Sequence, residues 1–182
     1  MRFLPTLSLV VILFLFGSCT SRNQDGSQNK GPATTAIHQA FPFPVEPVDQ
    51  NGLYKLINER RGRILLLNIW ATWCQPCVEE FPALMKLAQT DTMVEVIGIS
   101  VDYADEIHSR VIPFLKKLKV PFKIYVAKFE KQEDFIAVID STWSGAIPAT
   151  YMYDTRGRQQ FHHIGPGTYE FFEKRIHEIK TN

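Results

Sequence analysis

The residues whose type and spacing could do chemistry are Cys74 and Cys77, set in the string Trp70-Ala71-Thr72-Trp73-Cys74-Gln75-Pro76-Cys77. Two intervening residues let the thiols close a small disulfide if Cys74 stands at the start of a helix. A helix N-terminus favours an anion and lowers the pKa of a thiol placed there. Cys74 is therefore expected to be the exposed nucleophile, and Cys77, one turn further in, the more buried resolving thiol. Exchange would pass through a mixed disulfide on Cys74, released when Cys77 attacks it. Pro76 falls in the first helical turn, where its missing N–H costs little and its fixed φ suits a helix. A metal site is the chief rival and usually needs four ligands. The one local histidine cluster, His162 and His163, lies in an expected strand, where neighbours point to opposite faces. A purely structural disulfide is the other alternative.

These cysteines need a strand to carry them and a helix to hold them. Ile64 to Trp70 is almost wholly apolar, as expected of a central strand covered on both faces. A helix should follow from near Cys74 to about Gln89. Met93 to Val101 is a second buried strand. Ile107, Val111, Phe114, Leu115 and Leu118 recur at helical spacing, with Pro113 bending that helix or starting a new one. Phe122 to Ala127 is a short strand and Glu130 to Asp140 a helix. Thr150–Tyr153 and Gln159–Ile164 flank Asp154-Thr155-Arg156-Gly157, a hairpin pattern. Thr168 caps a last helix running to about Lys180, with Glu170 well placed for its dipole. Alternating strands and helices imply an α/β fold whose mainly parallel sheet ends in an antiparallel hairpin.

The string from Leu67 through Cys77 to Pro82 resembles the thioredoxin superfamily, in its exported, membrane-tethered TlpA/ResA-like branch; the similarity runs from about Val45 to the C-terminus. The resemblance implies a thioredoxin-like fold: a central mixed sheet flanked by helices, with an extra helix and strand before a cis-proline. Ala104 to Ala127 fits that insertion. Ala146-Ile147-Pro148-Ala149-Thr150 matches the cis-proline segment, whose backbone would pair with a substrate beside Cys74. Glu80 matches an acidic residue that tunes the cysteine pair; a partly buried carboxylate beside a thiolate raises the thiol pKa and can shuttle its proton. Asn68 stands where thioredoxin itself has a buried acid. Trp73, Gln75, Pro76, Ile147 and Pro148 form the expected substrate-binding surface. Trp70, Phe81 and Pro82 are expected to pack, with a helix kink at Pro82. Lys116-Lys117 and Arg60-Arg61 are expected to be solvated.

The N-terminus carries Arg2 and an apolar run from Leu9 to Phe16, too short for the roughly 20 residues that span a bilayer. This pattern fits a secretory signal peptide. Leu15-Phe16-Gly17-Ser18-Cys19 resembles a bacterial lipobox, with Phe16 where Leu is usual. Residues 1–18 are thus expected to be a leader, 19–42 a lipidated N-terminus with a polar tether, and 43–182 the folded domain. Lys plus Arg is 20 and Asp plus Glu is 19, a net charge of +1. That balance gives no basic surplus for binding nucleic acid. Three cysteines are too few for a disulfide scaffold. One is assigned to lipid and two to a redox pair.

The expected function is a lipid-anchored thiol–disulfide oxidoreductase facing the periplasm or exterior. It would reduce protein disulfides, need no cofactor beyond its own cysteine pair and draw electrons from a membrane partner. A peroxiredoxin-like peroxide reductase is the second hypothesis, since Thr72 lies two before Cys74, although no proline-rich loop precedes it. A metal-binding or docking module that uses the cysteine pair is the third.

Overall fold

The computed structural model describes residues 42–59 and 62–181. The expected leader, Cys19 and all but the last residue of the tether lie outside the described residues, as do Arg60 and Arg61. Among the described residues thirteen elements follow one another: β1 (Glu46–Val48), α1 (Gln50–Asn58), β2 (Ile64–Trp70), α2 (Gln75–Thr90), β3 (Val94–Ser100), a 3₁₀ turn (Ala104–Glu106), a π-helical turn (Ile107–Val111), α3 (Ile112–Leu118), β4 (Lys123–Ala127), α4 (Gln132–Ile139), β5 (Ala149–Tyr153), β6 (Gln159–Ile164) and α5 (Tyr169–Thr181).

The strands make one sheet in the order β1-β4-β3-β2-β5-β6. β1, β4, β3 and β2 run parallel, while β5 is antiparallel to both β2 and β6. The mixed sheet and its closing hairpin therefore agree with the sequence pattern. The span 104–127, expected to add a helix and a strand, contains α3 and β4, and β4 enters the sheet between β1 and β3. Pro113 starts α3 rather than bending a longer helix, because the π-helical turn already ends at Val111. Pro82 lies inside α2, which runs on to Thr90. β1 and α1 had no counterpart in the sequence reading: the strand is three residues long, and the helix relies on Asp49, whose side chain accepts from the Gly52 N–H at 2.8 Å.

Every residue of β2 is buried. Strand alternation sends Ile64, Leu66 and Trp70 into a core with Phe81, Leu84 and Leu87 of α2, Leu115 of α3 and Phe172 of α5. Leu65, Leu67 and Ile69 face a second core with Leu53 and Ile57 of α1 and Phe135 and Ile139 of α4. Each such side chain contributes about 1.5–3 kcal/mol on burial. The two cores clamp β2 from both sides and fix the point where it delivers Cys74. Gly98 keeps this possible in β3, since a Cβ there would lie 2.5 Å from Ile124 Cδ1 and 3.0 Å from Trp70 Nε1. Below the site, Trp70 packs edge-on against Phe81 with ring centroids 4.7 Å apart and lies 5.3 Å from Phe114.

Candidate active site

β2 ends at Trp70, and a tight turn closed by Cys74 N–H to Ala71 C=O (3.2 Å) leads into α2. Cys74 is the N-cap of that helix, and its Sγ accepts the Cys77 N–H at 3.3 Å. The two cysteines form a disulfide with Cα atoms 5.3 Å apart. Cys74 retains 6% of its accessible surface and Cys77 none. Cys74 is thus the more accessible sulfur, but "exposed" overstates it in the oxidised state: bonding to Cys77 folds its side chain back against the helix. An opened pair would leave the Cys74 thiolate at the helix N-terminus beside the Cys77 N–H, a position that favours an anion.

Trp73 is 62% exposed beside the pair, and Gln75 and Pro76 are exposed in the first helical turn. Ile147–Pro148 is a cis peptide bond, as the resemblance implied. Pro148 is buried and its carbonyl accepts the Gly165 N–H at 2.8 Å. The preceding Ile147 N–H and C=O have no hydrogen-bond partner among the described residues. Trp143 Nε1 donates to the Ala146 carbonyl at 2.9 Å and so ties down this segment. A groove of about 570 Å³ runs between Trp73 and Ile147, lined also by Tyr103, Phe129, Phe135 and Trp143.

Glu80 is 2% exposed, three residues after Cys77 on the same helix and hence about one turn along its face. Asn68 shares its core because it has the same strand parity as Leu66 and Trp70. Asn68 Nδ2 donates to Glu80 Oε1 at 2.7 Å and to Thr150 Oγ1 at 3.1 Å. The Gly167 N–H donates to Glu80 Oε2 at 3.0 Å. Burial pushes the Glu80 carboxyl up from its ordinary 4.5 to about 7, while the Gly167 and Asn68 hydrogen bonds pull the other way. Glu79 points outward and accepts from Gln75 Nε2 at 3.1 Å. A half-protonated buried carboxyl can therefore give or take a proton near neutrality.

The sequence reading missed Asp102, Gly167 and Trp143, placed Thr150 only as the end of the cis-proline segment, and gave Asn68 no positive part. Asp102 had a usable clue: an acid just past a buried parallel strand, at the strand ends where sites gather. The two histidines face apart, His162 stacking on Tyr151 and His163 packing on Phe171. Among the described residues no group of three or more His, Cys, Asp or Glu is placed to hold a metal. None of the described helices is long and apolar enough to cross a membrane.

A mixed sheet of this order, with a disulfide at the N-terminus of the helix after its inner strand and a cis-proline at the next, defines a thioredoxin-like thiol–disulfide oxidoreductase. Residues 37–161 match the AhpC/TSA family, and the chain belongs to it. It is 30% identical over 178 residues to the thiol:disulfide interchange protein DsbE of Pasteurella multocida, covering 97% of this chain and 93% of that protein. It is 28% identical over 125 residues to the thiol-disulfide oxidoreductase ResA of Bacillus cereus, covering 68% of this chain and 67% of that one. Among solved structures, a thioredoxin-related protein from Neisseria meningitidis serogroup B superposes with a TM-score of 0.57 at 25% identity, over 66% of this chain and 87% of that chain. The alternative of a peroxide reductase is not favoured, because these relatives are thiol–disulfide interchange proteins and the cysteines pair with each other.

Proposed function

We propose that the chain reduces protein disulfides outside the cytoplasm. The observation that carries this reading is the disulfide at the N-cap of α2, with Cys74 the less buried of its two cysteines and the unpaired Ile147 backbone in the groove that Trp73 also lines. In the reduced state the Cys74 thiolate attacks one sulfur of a substrate disulfide. That S–S bond breaks, a Cys74–substrate disulfide forms, and the other substrate sulfur leaves as a thiolate and is protonated. Glu80, ionised, takes the proton of Cys77. The Cys77 thiolate then attacks Cys74 Sγ, expels the second substrate thiolate and closes the Cys74–Cys77 disulfide. Two electrons have passed to the substrate, and no cofactor beyond the cysteine pair is used.

The substrate segment lies extended along Ile147 and Pro148, its backbone paired with the free Ile147 groups, while Trp73, Gln75 and Pro76 contact the residues around its cysteine. An electron donor in the membrane renews the dithiol. Once a leader of residues 1–18 is removed, lipid on Cys19 and a tether of 19–42 would hold the domain of 43–182 at the membrane surface, facing the periplasm or the exterior. Support for the membrane placement is the lipobox-like string and the polar composition that follows it.

Insulin reduction by the purified chain tests the reaction. Turnover should vanish in Cys74→Ser, and full activity in that variant sinks the assignment. Incorporation of labelled fatty acid, lost on Cys19→Ala, tests the anchor.

A further inference from the structure

The turn that leads into Cys74 is tied to a buried carboxylate that the exchange steps do not consume. Asp102 follows β3 and is 2% exposed. Its Oδ2 accepts the Thr72 N–H at 2.9 Å and the Ser100 hydroxyl at 2.6 Å. Its Oδ1 accepts the Thr72 hydroxyl at 2.6 Å. Its own N–H donates to Ser100 Oγ at 3.0 Å. No cation pairs with it among the described residues. A buried charge without a counter-ion costs several kcal/mol unless hydrogen bonds satisfy it. Here both donors of Thr72 close on one carboxylate, two residues before the nucleophile. Parallel pairing of Trp70 with Ser100 brings the ends of β2 and β3 level, and the Val101 N–H donates to the Trp70 carbonyl at 2.8 Å. The base of the turn and its outer residue are therefore both fastened to β3.

We infer that Asp102 is a positioning residue for the exchange reaction: its two-pronged hold on Thr72 presets the Ala71–Trp73 turn so that Cys74 closes readily on Cys77. The inference rests on the proposed role of the cysteine pair. A fixed turn removes conformational freedom that ring closure would otherwise have to freeze out. Loosening it lowers the equilibrium constant for closure. That constant is measured with glutathione: the Cys74 thiolate opens glutathione disulfide, giving a mixed disulfide and one glutathione, and the Cys77 thiolate then displaces the second glutathione.

The test equilibrates the full chain and its variants with glutathione mixtures, counts oxidised molecules by mass after alkylation, and records urea unfolding alongside. Asp102→Ala should lower the closure constant about tenfold, equivalent to about 30 mV. Thr72→Val, which loses one hydrogen bond, should lower it about threefold. Thr72→Ser and Asp102→Asn should restore nearly the native constant. In the latter, the amide oxygen accepts the Thr72 N–H and Ser100 hydroxyl, and the amide nitrogen donates to Thr72 Oγ1. Native closure constants in Asp102→Ala and Thr72→Val, with only stability reduced, would overturn the inference. So would an Asp102→Asn shift as large as that of Asp102→Ala, since charge and not geometry would then be at work. If Asp102→Ala does not fold, Thr72→Val decides alone. Insulin reduction surviving Cys74→Ser would instead remove the underlying reading and this inference with it.

Discussion

Replacing Glu80 with Gln removes the one buried carboxyl of the cysteine helix and leaves its shape. Moving that carboxyl from 4.5 to about 7 corresponds to about 3 kcal/mol at ~1.4 kcal/mol per pH unit. The folded chain holds the proton more tightly than the unfolded one. The stability this provides is fully present below pH 4.5 and is lost as pH rises through about 7. The native protein should therefore lose about 3 kcal/mol relative to Glu80→Gln across that window. The variant should fold, because the Gly167 N–H still finds an oxygen. Asn68 can turn its amide as well: its Oδ1 is buried without a partner, and once rotated it can accept from the new side-chain amide and from the Thr150 hydroxyl. Urea unfolding of the oxidised chain at half-unit steps from pH 4 to 8 measures the difference directly. A constant gap between native and variant at every pH would refute the burial argument. The same substitution should lower insulin-reduction turnover by roughly 100-fold if Glu80 takes the Cys77 proton, and abolish the limb of the pH–rate profile near neutrality. An unchanged limb would show that another group moves the proton.

Three further outcomes follow from the same geometry. Cys77→Ser should accumulate substrate as a mixed disulfide on Cys74, visible on non-reducing gels and absent when Cys74 is also replaced; no adduct in the single variant would contradict the assigned order of attack. Trp73→Ala should raise KM for a protein substrate several-fold, as expected when an exposed aromatic is removed from a contact surface, with kcat little altered; an unchanged KM would remove Trp73 from that surface. Gly98→Ala should cost about 1–3 kcal/mol of stability through overpacking, because its Cβ would meet Ile124 Cδ1 at 2.5 Å; a native urea midpoint would show that the strand yields more easily than its packing implies.

Much of this architecture was legible in the residues because it is governed by short-range rules. The apolar run Ile64–Trp70 is β2 from end to end, and the cysteine motif sits at a strand–helix boundary because Pro76 and the N-capping Cys74 define one. The hairpin followed from Asp154-Thr155-Arg156-Gly157, whose glycine adopts φ 80°. β1 was not legible, since a three-residue strand has no period to detect and is defined only by its pairing with β4.

Taken alone, the sequence determined the local placement of the chemistry-bearing groups: two thiols one helical turn apart, entered from a buried strand, with a carboxyl one turn beyond. Tertiary structure decided how that chemistry is tuned. Burial in the folded core pushes the Glu80 carboxyl up to about 7, against the downward pull of hydrogen bonds from Asn68, 12 positions earlier, and Gly167, 87 positions later. Asp102 reaches Thr72 across 30 positions because β2 and β3 pair in parallel and end level. Burial and a fixed turn are made by groups distant along the chain, so neither can be read from local spacing. Both arise when the sheet brings the ends of its strands together.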